Sequence, residues 1–358
     1  MNLRDKLGDA YHEPRVARAR LYVGWWLLST SALVFAMILL GGITRLTESG
    51  LSMVDWRPFT GVLPPIGQEQ WEVVFEQYKE FPEYKQINLG MSLAEFKMIF
   101  WFEYSHRLLG RVIGIVFLLP FLFFLFTRRL QRDMALTLGA LFILGAIQGF
   151  LGWFMVKSGL SERADVSQHR LAAHFGLAVF IYGTLIWGSF SMLCTKTNTR
   201  VPTHQRDHLL SVFLPWLFLT MISGAFVAGT NAGFIYNTFP LWDGSIVPAE
   251  VFDLRPVTMN LFHNPVAIQF IHRTFAILTI IFAVVIWIFA YRKNFLGFNL
   301  RYNLFLLSAV IQFVLGIVTL ITAVPLVLGV LHQMGALLLL SATIFALHGS
   351  IYRRRIAL

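Results

Sequence analysis

The sequence predicts an all-α polytopic membrane protein: eight transmembrane helices arranged as two tandem, pseudo-symmetric four-helix bundles. Three observations carry that expectation. Of 358 residues, 56% are hydrophobic and 13% charged, and the mean hydropathy is +0.65, which is too little charge for a soluble domain. The apolar residues gather in eight runs, each long enough to cross a hydrocarbon layer of about 30 Å. The last four runs repeat motifs of the first four in the same order.

The runs fall near 21–44, 98–127, 134–156, 168–194, 208–229, 265–291, 302–322 and 326–352. The third carries no charge between Met134 and Val156, and the fourth to eighth little beyond Arg170 and Arg273. Before the first run, residues 1–20 mix both signs of charge (Arg4, Asp5, Lys6, Asp9, Glu13, Arg15, Arg18, Arg20). They lack the apolar centre and small-residue cleavage site of a signal peptide, and read as a retained cytoplasmic segment.

A net charge of +10 raises the question of nucleic acid, but the basic residues lie between apolar spans, where they report topology instead. One set of alternate short connections holds 17 of the 29 Lys and Arg: the N-terminus, Arg128 to Arg132, Lys196 to Arg206, Arg292 to Arg301, and Arg353 to Arg355. The positive-inside rule puts these segments and both termini in the cytoplasm, as in a bacterial inner-membrane protein, with lipid and not nucleic acid as the surrounding partner. The longer loops, about 45–97 and 230–264, then face outward. They are rich in aromatics and proline (Trp56, Pro58, Pro64, Pro65, Trp71, Phe81; Tyr236, Phe239, Pro240, Trp242, Pro248), a composition of ordered interfacial caps. The lone cysteine, Cys194, excludes an internal disulfide and a cysteine-rich metal centre.

The repeat divides the chain into an N-terminal half, 21–195, and a C-terminal half, 208–352. Gly41 and Thr47 to Gly50 match Gly224 and Thr230 to Gly233 at an offset of 183. His106-Arg107 matches His272-Arg273 at 166, Gln148 to Gly152 matches Gln312 to Gly316 at 164, and His169 matches His332 at 163. Four spans per half give both halves the same orientation, related by an axis along the membrane normal.

Four of the ten histidines therefore recur, on spans two, four, six and eight. Counting to the basic cluster that ends each helix gives 22, 27, 20 and 21 residues for His106, His169, His272 and His332. At about 1.5 Å per residue all four sit near the outer edge of the hydrocarbon, roughly 30–40 Å from the cytoplasmic end. Imidazoles facing one another across a bundle suit the two axial positions of a haem iron, so two pairs suggest two haems, one per half. No carboxylate or cysteine recurs beside them, as a zinc or di-iron site would need. Gly110 and Gly114 follow His106 on its own face, leaving room for a porphyrin or for close helix packing. His174, matched by Leu337, reads as a packing or hydrogen-bonding neighbour of the site, and His263 as an outer-loop residue without a repeat partner. His12, His204, His208 and His348 read as solvated or interfacial on the cytoplasmic side. Arg107 and Arg273 either pair with haem propionates or snorkel to the outer surface.

The halves differ at Glu103, whose repeat partner is Gln269. Three residues before His106, its carboxyl group shares that helix face and can take a proton or stabilise developing positive charge, which Gln269 cannot. An ion pair with Arg107, four residues on, is the structural role open to it. The asymmetry predicts that the first half reacts and the second holds a fixed cofactor.

These residues carry a resemblance. Glu103-Tyr104-Ser105-His106-Arg107-Leu108-Leu109-Gly110-Arg111, the run from Gly41 to Ser52, Gln168-His169-Arg170, Ile271-His272-Arg273 and Leu331-His332-Gln333 together resemble the haem A synthase family, from span one to span eight. The first outer loop lacks the cysteine pair of some members, so the chain is similar to the cysteine-free branch. The resemblance implies oxidation of the haem O methyl group to the formyl group of haem A, for terminal oxidases. It implies haem b as cofactor on His272 and His332, haem O as substrate between His106 and His169, and Glu103 as the catalytic residue. It also implies sites near the periplasmic side, an external electron donor, contact with haem O synthase, and a homo-oligomer. The competing reading is a di-haem b cytochrome passing electrons from quinol without altering its haems, which leaves the unrepeated Glu103 unexplained.

Overall fold

The computed structural model describes residues 3–54, 63–159, 166–194, 207–292 and 298–351, with backbone alone for 3–17, 158, 159, 298 and 299. Trp56, Pro58, Lys196, Arg200, Arg206, His204, Lys293 and Arg353 to Arg355 lie outside the described residues, as does the side chain of His12.

Among the described residues eleven α-helices follow in order: α1 Leu3–Leu46, α2 Gln68–Lys79, α3 Pro82–Gln86, α4 Leu93–Phe126, α5 Arg132–Gly159, α6 Gln168–Leu193, α7 His208–Gly229, α8 Asn260–His263, α9 Pro265–Arg292, α10 Phe298–Ile321 and α11 Leu326–Ile351. Eight of them are long and apolar enough to cross a membrane, each within a few residues of its expected span. The first differs in that the helix begins at Leu3, so the N-terminal segment continues α1 directly.

Local chemistry sets the ends. Ser92 and Glu95 form a capping box that starts α4, and Asp207 accepts from the amides of Leu209 and Leu210 to start α7. Glu48 and Asn231, at matched positions of the repeat, both take left-handed φ (50° and 54°) just past α1 and α7, so the backbone obeys the repeat where the side chains differ.

In the first half α1 packs on α4 and α6, and α5 bridges α4 and α6; α7, α9, α10 and α11 repeat the arrangement. At the seam α6 lies on α7 as α11 lies on α1, and α6 crosses α11, the contacts a two-fold axis demands. Tyr182 and Ser341 share a 2.8 Å hydrogen bond at that crossing. One apolar core, including Trp26, Phe117, Leu185, Phe213, Ile286, Phe305 and Leu337, runs through both halves. His348, expected to be solvated or interfacial, is instead buried in the seam against Trp187 and within 3.3 Å of the Ser191 hydroxyl.

A second apolar cluster lies under α2 and α3, where Trp71, Phe75, Tyr78, Phe96, Phe100 and Tyr104 build an ordered cap over the first half. The Tyr78 hydroxyl donates to buried Glu83 at 2.9 Å and accepts from Asn88 at 2.7 Å. Burial, with Glu83 beside it, holds that phenol protonated well above its ordinary range. Along α4, His106 lies between the residues of this cap (Phe96, Phe100, Tyr104) and those of the main core (Phe117, Phe121, Phe124).

Candidate functional site

The second half shows the site in its more ordered form. α9 carries Gln269, His272 and Arg273 within one turn, and α7 passes so closely that a Cβ on Gly224 would lie 3.0 Å from the His272 ring. Any larger residue there would push the imidazole aside. His332 reaches in from α11 over Gly316, where a Cβ would again stand 2.9 Å from the ring. The two ring centroids are 6.4 Å apart and nearly perpendicular, at 86°. Two metal–nitrogen bonds of about 2.0 Å plus two ring radii span roughly 6 Å.

The hydrogen bonds around each ring leave Nε2 as the free nitrogen. Nδ1 of His272 lies 2.9 Å from Ser223 Oγ, and Nδ1 of His332 lies 3.1 Å from the side-chain amide of Gln312. Gln312 Oε1 is buried with no partner; exchanging the amide's ends lets it accept from a protonated Nδ1, as behind a metal-bound imidazole. Arg273 is 7% exposed, so it does not snorkel. Its Nη2 donates to the carbonyls of Thr238 and Pro240, and its guanidinium lies 3.9 Å from the Trp242 ring centroid, which ties the second outer loop onto α9. Arg273 Nε and Nη1 and Trp242 Nε1 remain buried donors without hydrogen-bond acceptors. Unsatisfied buried donors beside a histidine pair fit the carboxylate groups of a haem.

In the first half α4 carries Glu103, His106 and Arg107 on one turn, and Gly41 of α1 stands where Gly224 does, its added Cβ 3.4 Å from His106 Nε2. The residue facing His106 in the role of His332 is His174. Six residues past the first residue of α6, as His332 is past that of α11, it lies over Gly152, whose Cβ would be 3.1 Å away, and beside Gln148, with Nε2 atoms 3.3 Å apart. Gly152 and Gln148 are the repeat partners of Gly316 and Gln312. His106 and His174 are also close enough to interact electrostatically, as are His272 and His332.

His169, expected in that place, sits elsewhere: one residue into α6, exposed, with its ring 5.1 Å from His263, 5.5 Å from Phe226 and 5.9 Å from Phe262. The α5–α6 connection is longer than the α10–α11 connection, so the constant offset that paired His169 with His332 fails after Gly152. The same registration made Leu337 the partner of His174, whereas Leu337 belongs to the apolar core.

Glu103 is 3% exposed. Its Oε1 accepts from Arg107 Nε at 2.5 Å and its Oε2 stands 3.9 Å from His106 Nδ1, while Arg107 Nη2 donates to Met53 O of the outer loop. The ion pair to Arg107 therefore exists and aims the carboxylate at the histidine. Gln269 instead donates to the backbone carbonyls of Ala232 and Tyr236, a purely structural link. Among the described residues, no three His, Cys, Asp or Glu side chains converge as a conventional metal-ion site would require.

Residues 24–344 match the COX15-CtaA family model, described as cytochrome oxidase assembly protein. The chain belongs to the haem A synthase family. It is 47% identical to the haem A synthase of Nitrosospira multiformis over 326 residues, covering 90% of this chain and 92% of that protein. The enzyme of the same name from Parvibaculum lavamentivorans is 45% identical, covering 91% and 93%, and that from Rhodospirillum centenum is 45% identical, covering 96% and 92%. As a member of the haem A synthase family, the chain is a multi-pass membrane enzyme of that type.

Proposed function

We propose that the protein oxidises the methyl group of haem O to the formyl group of haem A, in the first half, while the second half holds haem b as a resident cofactor. In this reading His106 and His174 bracket the substrate, His272 and His332 ligate haem b, and Arg273 with Trp242 receives its carboxylates. Bound haem b supplies one-electron transfer. With dioxygen as oxidant and the external donor supplying four electrons (CH3 + 2 O2 + 4 e− + 4 H+ → CHO + 3 H2O), two successive hydroxylations each take a hydrogen from the methyl carbon as an electron and a proton before water is lost, so a proton acceptor beside the substrate is required. Glu103 can take those protons at Oε2 or stabilise positive charge developing at the reacting carbon, and Arg107 holds its other oxygen in place. The cap over α4 keeps bulk water from this carboxylate.

The observation that carries the proposal is the contrast between Glu103, buried and aimed at His106, and Gln269, tied to backbone carbonyls. A pure electron-transfer cytochrome gives no reason for that difference. The proposed setting is a bacterial inner membrane with both termini cytoplasmic and the haems near the periplasmic face, with an external electron donor, haem O synthase as the source of substrate, and self-association. The test is Glu103→Gln in cells, followed by haem extraction. Haem O accumulates and haem b persists if the proposal holds; unchanged haem A overturns it.

A further inference from the structure

Building on the haem assignment, the hydrogen bonds behind the histidines point to what makes one haem resident and the other exchangeable. Ser223 Oγ has a single proton, and it lies 2.7 Å from the backbone oxygen of Thr220, to which it donates. Toward His272 Nδ1, 2.9 Å away, the hydroxyl can then only accept, so Nδ1 carries the ring proton and Nε2 presents its lone pair. Ser223, together with the backbone oxygen of Thr220 that also bears on the His272 ring, is thus a tautomer lock, and α7 supplies it one residue before Gly224.

The matched residue of α1, directly before Gly41, is Leu40, which has no hydroxyl. The His106 ring is correspondingly turned: Nε2 is the atom nearest the Gly41 Cβ position, whereas Cε1 and Nδ1 of His272 are nearest that of Gly224. The Glu103 carboxylate faces His106 Nδ1 from 3.9 Å, beyond hydrogen-bonding distance. Across the same pair, His174 Nδ1 is buried without a partner, whereas His332 Nδ1 has Gln312.

We infer that Ser223 is a positioning residue that locks His272 for permanent haem ligation, and that Leu40 at the equivalent place leaves His106 unlocked, so that haem in the first half is released after reaction. Outer-shell partners of metal-bound histidines set affinity by about 10–100-fold, enough to separate a cofactor from a product.

The experiment uses the full-length purified protein in lipid nanodiscs, an excess of apomyoglobin as haem acceptor, and chromatography of the haem left behind, with a redox titration in parallel. Ser223→Ala should lose haem b about 10–100-fold faster than the parent, with its midpoint potential moved positive as the imidazole loses donor strength. Ser223→Thr should restore both. Leu40→Ser should slow the loss of haem O or haem A from the first half and leave haem b unchanged. Haem b loss and potential in Ser223→Ala equal to the parent would overturn the inference while leaving the proposed function intact. A parent that carries no haem b defeats the haem assignment itself. Should Ser223→Ala fail to fold, the outcome rests on the other two: loss of haem b from Ser223→Thr, or unaltered release from Leu40→Ser, refutes the lock.

Discussion

At the scale of residues, the site depends on which atoms have partners. Two arginines at matched positions do the same job, each fastening the outer loop of its half to the helix that carries the repeated histidine, Arg107 to Met53 and Arg273 to Thr238 and Pro240. Both reach backbone carbonyls, which no side-chain pattern announces, so their anchoring role could not be read from composition. His169 and His174 make a sharper case. Both are histidines near the start of the same helix, but only His174 faces the glycine and glutamine that its repeat counterpart faces. His169 is exposed, and exposed substitutions away from such features change free energy by about 0.5 kcal/mol or less, roughly twofold. His169→Ala should therefore keep haem A formation within that margin of the parent, as measured by haem extraction from cells. A loss as large as that of His106→Ala would restore His169 to the site.

At the scale of elements, the eight spans were legible because membrane helices must be long, apolar and internally hydrogen-bonded, and composition alone marks such runs. The order of the repeat was legible too. What sequence could not show was the length at which α5 gives way to α6, since a polar connection leaves no periodic signal, and that length decides which histidine stands where. The faces of α4 and α5 also differ from those of their partners. A Cβ added at Gly114, Gly145 or Gly149 would meet nothing within 4 Å, whereas the matched residues of the second half are Ile280, Ala309 and Phe313, with Ala309 buried and Ile280 packed on the core. At these positions the first half thus keeps open space where the second carries side chains, which suits the exchange of haem that the proposed function requires. Filling it with Gly149→Phe should cost about 1–3 kcal/mol of substrate affinity, roughly fivefold to a hundredfold, while haem b content stays at the parent level. Haem analysis of the purified variant checks both, and an equal fall of the two haems would mean general misfolding instead.

At the scale of the whole molecule, a two-fold axis through the α6–α11 crossing sets two similar bundles side by side with a shared apolar core. Symmetry builds two similar sites, and in the proposed function a few unmatched residues divide their tasks: Glu103 against Gln269, Leu40 against Ser223, Gly149 against Phe313. The central claim is that the two histidine pairs serve different haems. Haem composition of purified His174→Ala and His332→Ala tests it most directly. His174→Ala should retain haem b and lack haem O and haem A, and His332→Ala should lose haem b; loss of the same haem from both variants, or of haem b from His174→Ala alone, would contradict the account.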